Sequence, residues 1–436
     1  MHQLRTCHLT IVGPINARIA PITRPLPHLY RMSLRIAVIG GGAAGFMAAI
    51  SAATHAPGAE VLLLEKSDKL LAKVRISGGG RCNVTHACLE PRKLARHYPR
   101  GEVFLRKVFA QWGQPDAVRW FKQQGVELKT EADGRMFPVT DDSGTIVDAL
   151  RGAADALGVS VRTHFPVSSL TPEWGAWMLR TPAGPMHVDR VVVATGGSPK
   201  ADGLAWLRAL GHDVVDPVPS LFTFNLPGEE IRSLMGVVAP QARVRIEGTA
   251  LESKGPLLVT HWGFSGPAVL RLSAFGAREL HARGYRYTVR VAWIGERSAQ
   301  QIRDHLQAEA AAHPKRQLGN ADAMGLPTRL WAFLLARAGL PAEKPLGELG
   351  PKQLLRLLDV LTNDPYTAEG KTTFKEEFVT AGGVSLAQVD PTTMCSTLHP
   401  GLHFAGEVLD IDGITGGFNF QAAWSTGWLA GRAAAM

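Results

Sequence analysis

Apolar positions first form a clear pattern at Ile36-Ala-Val-Ile39, a short run with the β-branched character of a buried parallel strand. It leads into Gly40-Gly-Gly-Ala-Ala-Gly45 and an alanine-rich run to Ile50, which reads as a helix. A second apolar run, Val61-Leu-Leu-Leu64, follows. Strand, glycine turn, helix and strand in that order predict a βαβ unit. Amphipathic periods predict helices over 102–111, 115–124 and 144–157, with a strand-like piece at 126–130. Alternating runs at 159–165, 175–181 and 186–194, separated by Pro172 and Pro182-Ala-Gly184, predict an antiparallel meander attached to a parallel sheet. The last of them ends in Val191-Val-Val-Ala-Thr-Gly-Gly197, another buried strand running into glycines.

From about residue 221 the pattern changes. Val237 to Glu247 alternates, Leu257-Leu-Val-Thr260 is short and apolar, and Tyr287 to Ile294 alternates again. Helical periods then dominate at 298–312, 326–338 and 351–362, punctuated by prolines. Glu377-Phe-Val-Thr-Ala-Gly-Gly-Val384 returns to the pattern of the first domain. The expected organisation is a disordered extension over 1–31, a discontinuous α/β domain over 32–220 and 370–436, and an insert over 221–369. The insert is β-rich to about 296 and helical from 297.

Composition changes this picture little. Residues 1–31 contain Arg5, Arg18, Arg24 and Arg31, several prolines and no acid, a composition with something of an organelle presequence. A disordered extension, or upstream translation ahead of a start at Met32, accounts for it better. Net charge is +9, which attracts phosphorylated ligands without implying nucleic acid. Cys7, Cys82, Cys88 and Cys395 contain no CxxC pair, which argues against a disulfide framework or a zinc ribbon. The default is a reduced, cytoplasmic protein with no metal. Ile36 to Ala59 carries no charge and has the length of a membrane span or signal peptide. Three consecutive glycines would weaken such a helix by about 1 kcal/mol each, so neither a membrane nor a secretory role is expected.

The glycines have a better use. Gly40 permits a tight turn, Gly42 lets the backbone approach a pyrophosphate, and Gly45 lets helix and strand pack closely. The helix N-terminus offers free amides to phosphate. Glu65 lies 20 residues after Gly45, where an acid takes the ribose hydroxyls of an adenine dinucleotide. Ser77-Gly-Gly-Gly80 has almost no side chain and could lie against a flat ligand, with Arg81 and Asn83 as donors; the alternative is a flexible surface loop.

Ser77-Gly-Gly-Gly-Arg-Cys-Asn83, Thr260-His-Trp-Gly-Phe-Ser-Gly-Pro267 and the stretch from Phe404 to Gln421 resemble segments of the two-dinucleotide-binding-fold flavoproteins. Within them the chain, from about 33 to 436, is similar to the BaiN-type, HI0933-like family of NAD(P)/FAD-dependent oxidoreductases, some described as aminoacetone oxidases. The resemblance implies a Rossmann-like FAD domain interrupted by a β-rich and helical insert. It implies that Gly40, Gly42, Ala44 and Gly45 hold the FAD pyrophosphate, and that Glu65, Lys66 and Lys73 border the nucleotide. On the same resemblance Val167 would present backbone to the adenine, and Ala194, Thr195 and Gly196 would wall the site. Gly406 and Glu407 would meet the ribityl chain and pyrophosphate. Thr415, Gly416, Gly417, Phe418 and Asn419 would open a helix toward the flavin. Ser77, Gly78, Gly79, Arg81, Cys82 and Asn83 would lie near its ring. Leu71-Ala72 stands before Lys73 where the family often has Gly-Arg, and His86 stands where Asn is common.

The expected function is FAD-dependent oxidation or reduction of a small organic substrate held between insert and flavin. NAD(P)H is a possible electron donor, although no second GxGxxG marks a site for it. One alternative is a flavoprotein that modifies tRNA; the absence of a Lys/Arg run interleaved with aromatics argues against a nucleic-acid partner. Another is a flavin-binding regulatory protein without turnover. His261 is the candidate general base, its ordinary pKa of about 6.5 lying near working pH, against a role in fixing its loop. Cys82 is a second candidate, against simple packing.

Overall fold

A computed structural model describes residues 33–198, 200–372 and 379–436. The expected extension over 1–31, and Glu377 and Phe378 of the return segment, lie outside the described residues.

The first βαβ unit forms where the pattern places it. β1 (Arg35–Ile39) and β2 (Glu60–Leu64) pair in parallel on either side of helix α1 (Ala43–His55) in the chain. They lie in a five-stranded parallel sheet with the order Leu402–Phe404, Arg190–Val193, β1, β2, Ser160–Arg162. The uncharged stretch from Ile36 to Ala59 is thus a strand, a turn and a helix. Among the described residues no helix is long and apolar enough to cross a membrane.

The meander differs from its expected strands. The run at 159–165 joins the parallel sheet beside β2, and the run at 186–194 divides between Gly184–Val188 and Arg190–Val193. Pro172 does not break the chain. It sits inside the strand Ser169–Glu173, opposite Trp177, on the edge of a three-stranded antiparallel sheet. An edge strand tolerates a proline because one of its sides needs no donor.

A second sheet of seven strands is antiparallel, in the order Asp364–Glu369, Arg286–Ala292, Val238–Ile246, Glu252–Val259, Gly263–Ser265, Thr223–Asn225, Lys371–Thr372. Helix α2 (Pro267–Phe275) follows Gly263–Ser265, and helices Ala299–Ala312, Thr328–Arg337 and Pro351–Asn363 complete this part. Two apolar cores result. One gathers Ile36, Phe46, Leu62, Val192, Phe404 and Trp424; the other gathers Phe224, Val244, Trp293, Trp331 and Leu357. Leu34–Met436 nevertheless forms one compact unit. The strand Lys371–Thr372 belongs to the seven-stranded sheet, past the return expected at 370.

Arg100 links the two parts. Its Nε donates to Asp412 Oδ1 at 2.5 Å and its Nη1 to the Ala274 carbonyl, at the end of α2, at 2.8 Å. A second ion-pair contact joins Arg100 to Asp412 Oδ2, which also accepts from the Ser220 hydroxyl at 2.6 Å. Burial pushes the Asp412 carboxyl above its usual range, and the Arg100 guanidinium opposes that shift.

Helix α3 (Phe418–Ala434) closes the first core by lying along α1. A β-carbon on Gly431 would stand 2.1 Å from the Ala48 carbonyl oxygen, and one on Gly427 2.5 Å from that of Ala44. Gly431→Ala therefore pushes backbone against backbone, and we expect a loss of about 1–3 kcal/mol in a denaturant titration. His403 makes a second prediction. It is buried, its Nδ1 placed to donate to the Thr393 carbonyl, and burial lowers its pKa to about 4 from 6.5. Between those pH values the unfolded chain binds the extra proton, so this group costs stability as pH falls through the window. The slope of melting temperature against pH between 6.5 and 4 should be smaller in His403→Asn than in the parent.

Candidate functional site

Four of the five parallel strands end at one cavity of about 520 Å³. Gly40 follows β1, Glu65 follows β2, Ala194 follows Arg190–Val193, and Ala405 and Gly406 follow Leu402–Phe404; each lines it. Ligands of open α/β sheets bind outside these carboxyl ends.

Two helices also begin here. α1 starts at Gly42 with no side-chain cap and no acid in its first turn, and Ala43 and Ala44 line the cavity. Its first amides have no partner within the helix and are free for phosphate. Gly45 does not line the cavity: a β-carbon there would fall 1.8 Å from the Gly40 carbonyl oxygen, so this glycine serves the turn. A β-carbon on Gly42 would meet nothing within 4 Å. α3 starts at Gly417, also without an acid in its first turn. Thr415, Gly416, Gly417 and Asn419 line the cavity, and with its amide suitably oriented Asn83 accepts from the Gly417 amide at 3.0 Å. The Asn419 amide is occupied on both sides by the backbone of Gly413, at 2.8 and 3.0 Å, and so fixes the loop that precedes the helix.

Glu65 accepts from the Gly41 amide at 2.8 Å on one oxygen and from the Ser67 amide and hydroxyl at 2.9 and 2.8 Å on the other. A carboxylate has about four acceptor positions, so one remains for a ribose hydroxyl. Glu407 bridges Lys73 at 2.7 Å and the Thr380 amide at 2.8 Å, and Lys66, Ser77, Gly78, Thr195 and Gly196 complete this side.

Several expected residues sit elsewhere. Gly79 is exposed and Val167 packs on the first core, neither lining the cavity. Arg81 is held by Glu131 at 2.7 Å and Asp141 at 3.4 Å, over the Phe137 ring. Arg135 from the same ionic cluster lines the cavity in its place. Phe418 is buried, stacked against His97 and His86 at 4.2 and 4.8 Å, and supports Gly416 from behind. Burial chiefly, with His86 and Arg271 adding to it, lowers the His97 pKa to about 4.

Neither candidate for chemistry reaches the cavity. Cys82 is fully buried, and burial pushes its thiol up to about 12, which leaves no thiolate at neutral pH. His261 is exposed with its ring against Trp262, and its carbonyl accepts from Arg232 at 2.7 Å. Trp262 donates to Thr223, which does line the cavity, so the motif touches the site through other members. Ser220, Leu221, Thr223, Ser265 and Leu270 extend the cavity toward the antiparallel sheet. Of these only Ser265 belongs to a motif singled out in the sequence.

The family model described as the HI0933-like protein Rossmann domain matches residues 34–433. The chain belongs to the HI0933-like family. Among relatives, the 3-dehydro-bile acid delta(4,6)-reductase of Clostridium scindens is 30% identical over 409 residues, covering 92% of this chain and 99% of that protein. The ribosomal RNA dihydrouridine synthase of Escherichia coli is 30% identical over 400 residues, covering 90% and 95%. Among solved structures, 3-ketosteroid delta1-dehydrogenase from Sterolibacterium denitrificans aligns over 92% of this chain and 99% of that one, with a TM-score of 0.50 at 15% identity, a likeness of fold. In this HI0933-like chain Leu71 is left-handed, with φ 55°, and its amide donates to the Gly41 carbonyl at 2.9 Å. A glycine there would adopt that conformation freely, whereas leucine costs about 1–2 kcal/mol, offset by burial of its side chain.

Because Gly42 faces open space, Gly42→Val should melt where the flavin-free parent melts yet lose the dinucleotide, read as loss of co-purifying flavin. Flavin content equal to the parent's would remove the phosphate assignment.

Proposed function

We propose that the protein is an FAD-dependent oxidoreductase that reduces a carbon–carbon double bond conjugated to a carbonyl, in a small organic substrate held beside the cofactor. The continuity of the cavity carries this reading. One end has the strand termini, Glu65 and the first turn of α1, which fit a dinucleotide. The other end has Leu221, Leu270, Ile411 and Ile414 with a few hydroxyls, which suit a compact apolar molecule.

Bound FAD supplies reversible two-electron chemistry with hydride transfer. The chain's own contribution is placement and charge. The glycine turn and α1 hold the phosphates, and the first amides of α3 favour negative charge in front of them. Arg135 is paired with Glu131 at 3.0 Å and Asp133 at 2.7 Å, so it borders the cavity as part of a neutralised cluster.

The relatives support the bond type more than the substrate. A delta(4,6)-reductase of 3-dehydro-bile acids acts on double bonds conjugated with an oxo group. A dihydrouridine synthase saturates the ring double bond of uridine, which is also conjugated with a carbonyl. Two such synthases are among the relatives, so the expectation against nucleic acid does not stand as an exclusion, and RNA is the second reading.

The test uses anaerobic holoprotein reduced by NAD(P)H or dithionite. A 3-oxo-4-ene steroid should re-oxidise it and gain two hydrogens by mass, while the saturated ketone should do neither. The same assay on His261→Asn should return the wild-type rate, since that ring lies off the cavity. Re-oxidation by unmodified ribosomal RNA but not by the enone would replace the small substrate with RNA. Re-oxidation by dioxygen alone would overturn the reading.

A further inference from the structure

We propose that the Ser265 hydroxyl is the hydrogen-bond donor that holds the substrate's carbonyl oxygen during reduction. This assignment rests on the reaction proposed above and adds the residue that makes it selective for a conjugated carbonyl.

The argument begins with the hydroxyls on the wall that the antiparallel part presents to the cavity. They are those of Ser220, Thr223 and Ser265. The Ser220 proton goes to Asp412 at 2.6 Å. The Thr223 hydroxyl donates to the Thr372 carbonyl at 3.2 Å and accepts from the Trp262 indole at 2.9 Å. Ser265 makes no side-chain hydrogen bond among the described residues, so its proton is free for a ligand. Its apolar neighbours in the cavity, Leu221 and Leu270, compete for nothing. Thr195 and Thr415 also line the cavity, but they stand on the nucleotide wall and at the start of α3, on the side of the cofactor.

The backbone holds Ser265 firmly. Gly263 and Gly266 flank it with φ of 151° and 91°, conformations open to glycine and strained for other residues. A β-carbon on Gly263 would fall 2.2 Å from the Phe224 carbonyl oxygen, and one on Gly266 2.8 Å from that of Pro256. Thr260 closes the preceding turn, donating from its hydroxyl to the Gly263 carbonyl at 3.0 Å. Gly263–Ser265 is paired on both sides, with Phe264 opposite both Phe224 and Val259. A donor on so constrained a strand loses little freedom when it binds, which is how preorganised donors gain their effect.

The chemistry needs such a donor. Reduction adds a hydride, with its electron pair, from the reduced cofactor to the β-carbon. The electrons of the double bond shift so that negative charge gathers on the carbonyl oxygen. A proton from water then adds at the α-carbon and restores the carbonyl, and a nicotinamide donor replaces the two electrons. A hydrogen bond at that oxygen strengthens as its charge develops, so it lowers the barrier more than it tightens substrate binding.

Ser265→Ala and Ser265→Thr test this in reduced, FAD-loaded protein, with a 3-oxo-4-ene steroid as one acceptor and ferricyanide, which has no carbonyl, as the other. We expect Ser265→Ala to keep its FAD and its ferricyanide rate while the enone rate constant falls about 100-fold. Most of the loss should lie in kcat, and Ser265→Thr should recover much of it. An enone rate equal to the parent's would overturn the assignment. So would a parallel loss with both acceptors, or loss of FAD, since each points to a structural role. If the parent itself is not re-oxidised by the enone, the function proposed above fails first, and this assignment with it.

Discussion

The site depends on how closely the first and last long helices approach. α1 and α3 are separated by most of the chain, yet Gly427 and Gly431 let α3 lie against the backbone of Ala44 and Ala48. Gly406 adds to the same contact, since a β-carbon there would fall 2.8 Å from that of Ala44. This packing brings two uncapped helix N-termini to one cavity, at the ends of the parallel strands. Each contributes unpaired amides and a partial positive charge. A ligand with phosphates at one end and an electron-accepting ring at the other gains from both. Larger residues in these places would separate the helices and the charges with them.

The second constraint is the joint between the cores. The Arg100–Asp412–Ser220 cluster gathers groups from the turn before the helix Glu102–Phe109, from the entry to the antiparallel part and from the loop before α3. It reaches the end of α2 through the Ala274 carbonyl. Buried ion pairs add little net stability, but removing one partner leaves a charge unpaired and costs about 3–5 kcal/mol. Its evident use is to fix the wall that carries Ser220, Leu221 and Thr223 relative to the dinucleotide end.

The βαβ unit is legible in the sequence because its signals are local: an apolar run, a glycine turn, a second run and an acid at fixed spacing. The meander is less so, since Pro172 marks a turn in most contexts and only pairing opposite Trp177 shows it inside an edge strand. Arg81 and Arg135 are alike in sequence. Both reach Glu131, but Arg81 is also drawn to Asp141, a partner far along the chain that no local window shows. The motif around His261 does border the cavity, but through Ser265 and not through the histidine whose chemistry singles it out. Strand alternation and two positive-φ glycines turn Ser265 to the cavity, and His261 is left exposed. Whether a given side chain lines a cavity is a property of three elements at once, and one sequence window does not contain it.

The claim beneath all of this is the position of the cofactor. Crystallography of the FAD-loaded protein tests it most directly. The account places the pyrophosphate within hydrogen-bond distance of the amides of Gly42 to Ala44, the ribose at Glu65, and the ring between the first turn of α3 and the wall that carries Ser265. Density for FAD elsewhere, or a pyrophosphate remote from α1, would contradict it.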